Sequence, residues 1–147
     1  MIETNIVLSI TRLIIGTIIL LYASYTDIKT RRASNILWLI MGSAGLILII
    51  IQYFTIGFEN SMYLLFIPVM IFLFYIFFQF GLIFGGADAK ALMAIAILVP
   101  IEPSILIFPI WKGYIMPFSW SIFSNSILIF LLIPLSLFIF NNTFLFN

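Results

Sequence analysis

Hydrophobic positions along this chain fall in long runs rather than in stripes, broken by short polar interruptions. Runs at residues 6–26, 36–56, 62–80 and 119–140 each come close to the roughly 20 apolar residues that a helix needs to cross the hydrocarbon core of a bilayer. A fifth run, residues 88–110, "DAKALMAIAILVPIEPSILIFPI", is apolar enough to cross but contains Pro100, Glu102, Pro103 and Pro109. Proline removes a backbone donor and disfavours helix in the residue before it. The run therefore predicts a short helix ending near Pro100, followed by interfacial or re-entrant chain through "WKGYIMPF". Trp111, Tyr114 and Trp120 suit an aromatic belt there, and Pro117 sits where a proline opens a last span. The expected fold is all-α: a polytopic transmembrane bundle of about five spans, in a single membrane-embedded domain over residues 1–147. An irregular glycine-rich segment precedes the fourth helix.

Composition agrees and removes much chemistry. With 65% hydrophobic and 7% charged residues and a mean hydropathy of +1.32, the apolar surface exceeds what a soluble core absorbs. Glu3 ahead of the first run, and no small-residue cleavage site, predict a retained span rather than a signal peptide. Cysteine and histidine are absent, which excludes disulfides, thiolate ligands, cysteine nucleophiles and imidazole bases. The net charge of +1 points away from a nucleic-acid partner.

The loop "DIKTRRASN" after the first run holds Lys29, Arg31 and Arg32, three of the six basic residues, so the positive-inside rule places it in the cytoplasm. The N-terminus is then expected outside, the loop from Gly57 to Ser61 outside, and the segment from Gly81 to Ala87 cytoplasmic. Asp27 and Asp88 end on one membrane face, the only acidic residues expected there. Glu3, Glu59 and Glu102 fall at the other. Arg12, early in the first run, is expected to snorkel toward the outer interface. Asp27 lies 15 residues beyond Arg12, about 22 Å of helix, and therefore slightly inside the hydrocarbon layer. Asp88 follows 28 uncharged residues, and the chain "GLIFGGA" before it meets no polar side chain. Backbone of that kind at membrane depth must be buried in protein or line a cavity, and Gly81, Gly85 and Gly86 permit it.

Each aspartate has an ordinary reading. Asp88 alone fits an N-cap for "AKALMAIAIL", and Asp27 alone fits a snorkelling terminus or a partner of Lys29 or Arg31. As a pair they say more. Two carboxyls close together at low dielectric share a proton and supply a general base and a general acid: one activates water, the other assists the carbonyl oxygen or leaving nitrogen of an amide. Neither metal nor histidine is required.

The segments "YTDIKTRRASN" and "GGADAKAL" resemble the type IV prepilin peptidases, in particular the archaeal preflagellin and prepilin peptidases among the membrane aspartyl proteases with a Gly-x-Gly-Asp motif. The resemblance covers roughly residues 15–140. It implies an aspartic-type endopeptidase with Asp27 and Asp88 as catalytic residues, and with Gly85, Gly86, Ala87 and Lys90 as motif and substrate-approach positions. It implies no cofactor and no metal. The implied substrate is a pilin-like or archaellin-like precursor, losing its leader at the cytosolic face of the lipid bilayer. Ala87 stands where the motif has its second glycine, and Ser34 where the family often has proline before Asn35. The cysteine-rich loop of many bacterial relatives is absent, so the methyltransferase activity those relatives imply is not expected of this chain. Lys90 is read either as orienting Asp88 or as a snorkelling lysine. The rival class is a small transporter component using the two carboxylates as a proton or cation relay.

Among other features, Tyr22 and Tyr25 fit an interfacial belt. Gly42 and Gly45, with Ser43 and Ala44, form a small surface for helix packing. Gln79 is placed to hydrogen-bond across helices. The basic cluster is read as fixing topology and touching anionic headgroups.

Overall fold

The computed structural model describes residues 2–55, 57, 63–101, 103 and 116–145. They form α1 (Ile2–Thr30), α2 (Asn35–Thr55), α3 (Tyr63–Gln79), α4 (Gly86–Leu98) and α5 (Phe118–Leu145), with no strand among the described residues. α1, α2 and α5 are long and apolar enough to cross a membrane, and α3 is a shorter apolar helix. The expected all-helical bundle is present. The segment expected to be interfacial or re-entrant, residues 104–115 with Trp111 and Tyr114, lies outside the described residues, as do Glu59 and Glu102.

Local chemistry sets the helix ends nearest the two motifs. α1 stops where Arg31 takes a left-handed conformation (φ 54°) and its N–H donates to the Asp27 carbonyl at 2.7 Å, the hydrogen bond that closes a helix with an αL residue. The Asp27 backbone is thereby fixed in the last turn. α2 starts at Asn35, and the Ile36 N–H donates to the Ser34 hydroxyl at 3.4 Å. Ser34, the departure from the family pattern, thus stands as the N-cap. α4 ends at Leu98, two residues before Pro100, as the proline predicts.

α4 is the centre of the molecule. At 13 residues it extends only about 20 Å, too short to cross, and it packs against all four other helices, most extensively α2 and α3. Ala89, Leu92, Ala94, Ile95, Ala96 and Leu98 are buried, and from Ala91 to Leu98 the helix is apolar all round, as a helix in an interior is. One cluster joins α4 to α1 and α2 through Ala23, Trp38, Met41, Leu48, Ile95 and Leu98. A second joins it to α3 and α5 through Met70, Phe74, Leu92, Ala96 and Phe123.

Gly45 explains how α2 and α4 come so close. A Cβ there would stand 2.6 Å from Leu98 Cα and 2.9 Å from the Ile97 carbonyl carbon, so the two backbones touch. Leu98 is fully buried, with its other side 3.2 Å from where a Cβ on Gly16 would be. The small surface expected at Gly42 and Gly45 is used, chiefly at Gly45.

Arg12 departs from expectation. Instead of snorkelling outward it is buried, and Nη2 donates to Gln52 Oε1 across the α1–α2 contact at 2.8 Å, while Nε has no partner among the described residues. An amide acceptor near the far end of α2 offers the guanidinium a hydrogen bond inside the bundle.

Candidate active site

The C-terminal end of α1 and the N-terminal ends of α2 and α4 meet at one end of the bundle. Asp27, in the last turn of α1, and Asp88, in the first turn of α4, line the same pocket. Its volume is about 240 Å³, and Ser24, Ala33, Ala87 and Ala91 contribute to its walls beside Leu20, Ala23 and Trp38. Small side chains surround the two carboxylates, leaving space where a substrate backbone needs to come close.

Asp88 is the third residue of α4, and the N-cap is Gly85, which has extended backbone (φ −98°, ψ 118°) and no side-chain cap bond. This corrects the capping reading of Asp88. Its carboxylate instead turns back over Gly85: a Cβ on that glycine would clash with Oδ2 and come within 2.9 Å of Cγ. Gly85 is therefore the glycine that the aspartate requires. Gly86 has ordinary space, with the nearest atoms those of the Phe78 ring at 3.5 Å. Upstream, Gly81 (φ 71°) reverses the chain in open space, and the N–H groups of Leu82 and Ile83 both donate to the Phe77 carbonyl, at 2.9 and 3.3 Å. Ile83 is buried, while Phe84 is 93% exposed. The irregular segment expected before α4 is this turn.

The Asp88 side chain has an exposed edge, yet burial of its inner side, and secondarily the charge of Asp27, raise its pKa above the usual carboxylate range. Asp88 senses Asp27 electrostatically. Lys90 does not pair with Asp88: its Nζ donates to Asn35 Oδ1 at 2.8 Å. Two residues along a helix turn the side chain about 200° away, so Lys90 lines a different space, a groove between α2, α3 and α4. Its contact ties the two motif segments together, Asn35 from the first and Lys90 from the second.

Sequence reasoning did not single out Ser24 or Trp38. Ser24 lies three residues before Asp27, on the same helical face, a spacing that was available to find it. Trp38 lines both the aspartate pocket and the groove, a position visible only once α1, α2 and α4 are assembled. Among the described residues no cluster of three or more acidic, histidine or cysteine side chains suited to a metal occurs.

The type IV leader peptidase family matches residues 14–139. The chain is 34% identical over 137 residues to a preflagellin peptidase of Methanococcus voltae, an alignment covering 84% of this chain and 55% of the relative. The chain thus spans about half the length of the curated relative it matches. No solved structure matches it. The matched region takes in both motif segments and the pocket they form, and the chain belongs to the type IV leader peptidase family.

Proposed function

We propose that this protein is an aspartic-type endopeptidase that removes the leader of pilin-like or archaellin-like precursors, with Asp27 and Asp88 as its catalytic pair. The observation that carries the reading is that two aspartates 61 residues apart in sequence line one pocket. Family membership and likeness to a preflagellin peptidase support the same activity.

The chemistry follows from sharing one proton. The ionised carboxylate takes a proton from water as the water attacks the scissile carbonyl carbon. The protonated partner hydrogen-bonds the carbonyl oxygen and then gives its proton to the leaving nitrogen. Raising the pKa of Asp88 favours it as the proton-holding member. Ala87 keeps the approach open, and the alanines at positions 33 and 91 let an extended backbone come close to the carboxylates. Cleavage takes place at the cytosolic face, the side of the basic loop Lys29–Arg32, with the N-terminus outside.

The test is leader removal from a pilin-like precursor by membranes containing this chain. Asp27→Asn and Asp88→Asn each abolish cleavage, a loss of at least about 10³-fold expected for a member of a catalytic unit, while expression and helix content stay intact. Continued cleavage by either variant would sink the pair.

A further inference from the structure

The groove on the other side of α4 is built differently from the aspartate pocket, and nothing in the proposed cleavage uses it. It encloses about 570 Å³ and is walled by Leu39, Leu46, Ile71, Met93 and Ile97, with Gly42 in its floor. Its charged member is Lys90, which stands with Asn35 at one end of the groove. A space that is apolar along its length and cationic at one mouth is complementary to an amphiphile with an anionic head. We propose that this groove holds one acyl chain of an anionic membrane lipid, with the lipid phosphate on Lys90.

Three observations support this occupant. First, the depth fits a single leaflet. Asn35 is the first residue of α2 and Leu46 lies 11 residues further along, about 16 Å of helix, which is close to half of a hydrocarbon core of about 30 Å.

Second, the charge of Lys90 is unanswered among the described residues. An ammonium has three donors, and the one partner of Lys90 among the described residues is the neutral Asn35 amide. No ion pair engages it among the described residues. Asp88, the nearest acid in sequence, lines the other space.

Third, Lys29 in the last turn of α1 and Arg31 and Arg32 in the turn joining α1 to α2 belong to the same end of the bundle. Each such basic residue near the surface enriches anionic headgroups around it. A basic recess between helices at that level is a recognised form of headgroup site. The proposal stands apart from the peptidase reading and does not need it.

Trp38 lines the groove and reports on it. In a Trp111→Phe, Trp120→Phe background, the purified chain in neutral detergent is titrated with phosphatidylglycerol or phosphatidylcholine carrying brominated acyl chains, which quench tryptophan on contact. Brominated phosphatidylglycerol is expected to half-quench Trp38 at a several-fold lower mole fraction than brominated phosphatidylcholine. Lys90→Met removes that preference and Lys90→Arg retains it. Ser43→Phe, which fills the groove without touching the charge, weakens quenching by both lipids.

Equal quenching by the two lipids in the parent, or an undiminished preference in Lys90→Met, overturns the proposal. So does displacement of the brominated lipid by an apolar helical peptide carrying the sequence of a precursor's membrane segment, which assigns the groove to substrate. Native mass spectrometry of the unsubstituted chain gives a second readout that does not depend on the tryptophan variants folding. A retained phosphatidylglycerol adduct, lost in Lys90→Met, is expected, and no adduct above the phosphatidylcholine level counts against the site.

Discussion

Asp88 and Lys90 are two residues apart on one helix and open onto opposite kinds of space. Asp88 shares a pocket of about 240 Å³ with a second carboxylate, among small side chains. Lys90 stands at the mouth of an apolar groove of about 570 Å³. The two spaces share Trp38 as a wall. What separates them is the helix itself: a start fixed at Gly85 sends the third and fifth residues of α4 to opposite sides. The motif "GGADAKAL" is therefore a device for sorting charge, acid to one side and base to the other.

The largest effect short of removing an aspartate is expected at Gly85. In Gly85→Ala the new methyl group occupies the place of the Asp88 carboxylate, so the side chain must leave the position from which it faces Asp27. A misplacement of about 1 Å costs on the order of 10²-fold in rate, and a loss of that size in leader removal is expected. Gly86→Ala meets the Phe78 ring at ordinary contact distance and should stay within a few-fold of the parent. Equal losses in the two variants would mean that both glycines serve the backbone alone.

Gly45 tests whether the two sites depend on one seat for α4. A Cβ there meets the backbone of Leu98 at 2.6–2.7 Å, where no side chain can rotate away. Overpacking of this kind costs about 1–3 kcal/mol, and Gly45→Ala should fall at the upper end, read as a lowered unfolding midpoint in detergent. Gly42→Ala, with only Ile97 Cδ1 at 3.6 Å, is expected to lie within about 0.5 kcal/mol of the parent. In Gly45→Ala, cleavage and lipid preference should fall together, because α4 carries a residue of each site.

The hydrogen bond from Lys90 to Asn35 is smaller in effect. Both residues are exposed, so a double-mutant cycle with Lys90→Met and Asn35→Ala should give a coupling of no more than about 1 kcal/mol in stability. Zero coupling would remove the tie between the two motif segments.

Much of this arrangement was legible in the sequence, for identifiable reasons. Run length marks α1, α2 and α5 as long and apolar enough to cross while α3 is shorter, Pro100 ends α4, and the expected pairing of Asp27 with Asp88 is seen as one shared pocket. What was not legible depends on partners distant in sequence or on local dihedrals. Arg12 turns inward because of Gln52, 40 residues away. The cap falls on Gly85 rather than on Asp88 because the carboxylate turns back over that glycine, a choice that composition does not encode. The sequence alone leaves Lys90 open between orienting Asp88 and snorkelling. It is bonded to Asn35, which no spacing within its own helix reveals.

The smallest and most specific effect concerns protons. Asp88 stands outside the long spans, and its pKa is raised first by burial and second by Asp27. A carboxyl whose pKa is higher folded than unfolded binds more protons in the folded state between the two values. Its contribution to stability is full below the unfolded value, near 3.9, and is lost as pH rises through the raised one. Unfolding midpoints in detergent should therefore decline across that window in the parent, and Asp88→Asn should remove this component. Asp27→Asn removes the lesser cause and leaves the burial, so the decline should shrink and shift to lower pH without vanishing. The three profiles separate a coupled pair from two neighbouring but independent acids. If Asp27→Asn leaves the Asp88 component where it was, the carboxylates share a pocket without sharing a proton, and the acid–base division of labour between them fails even if both are needed for cleavage.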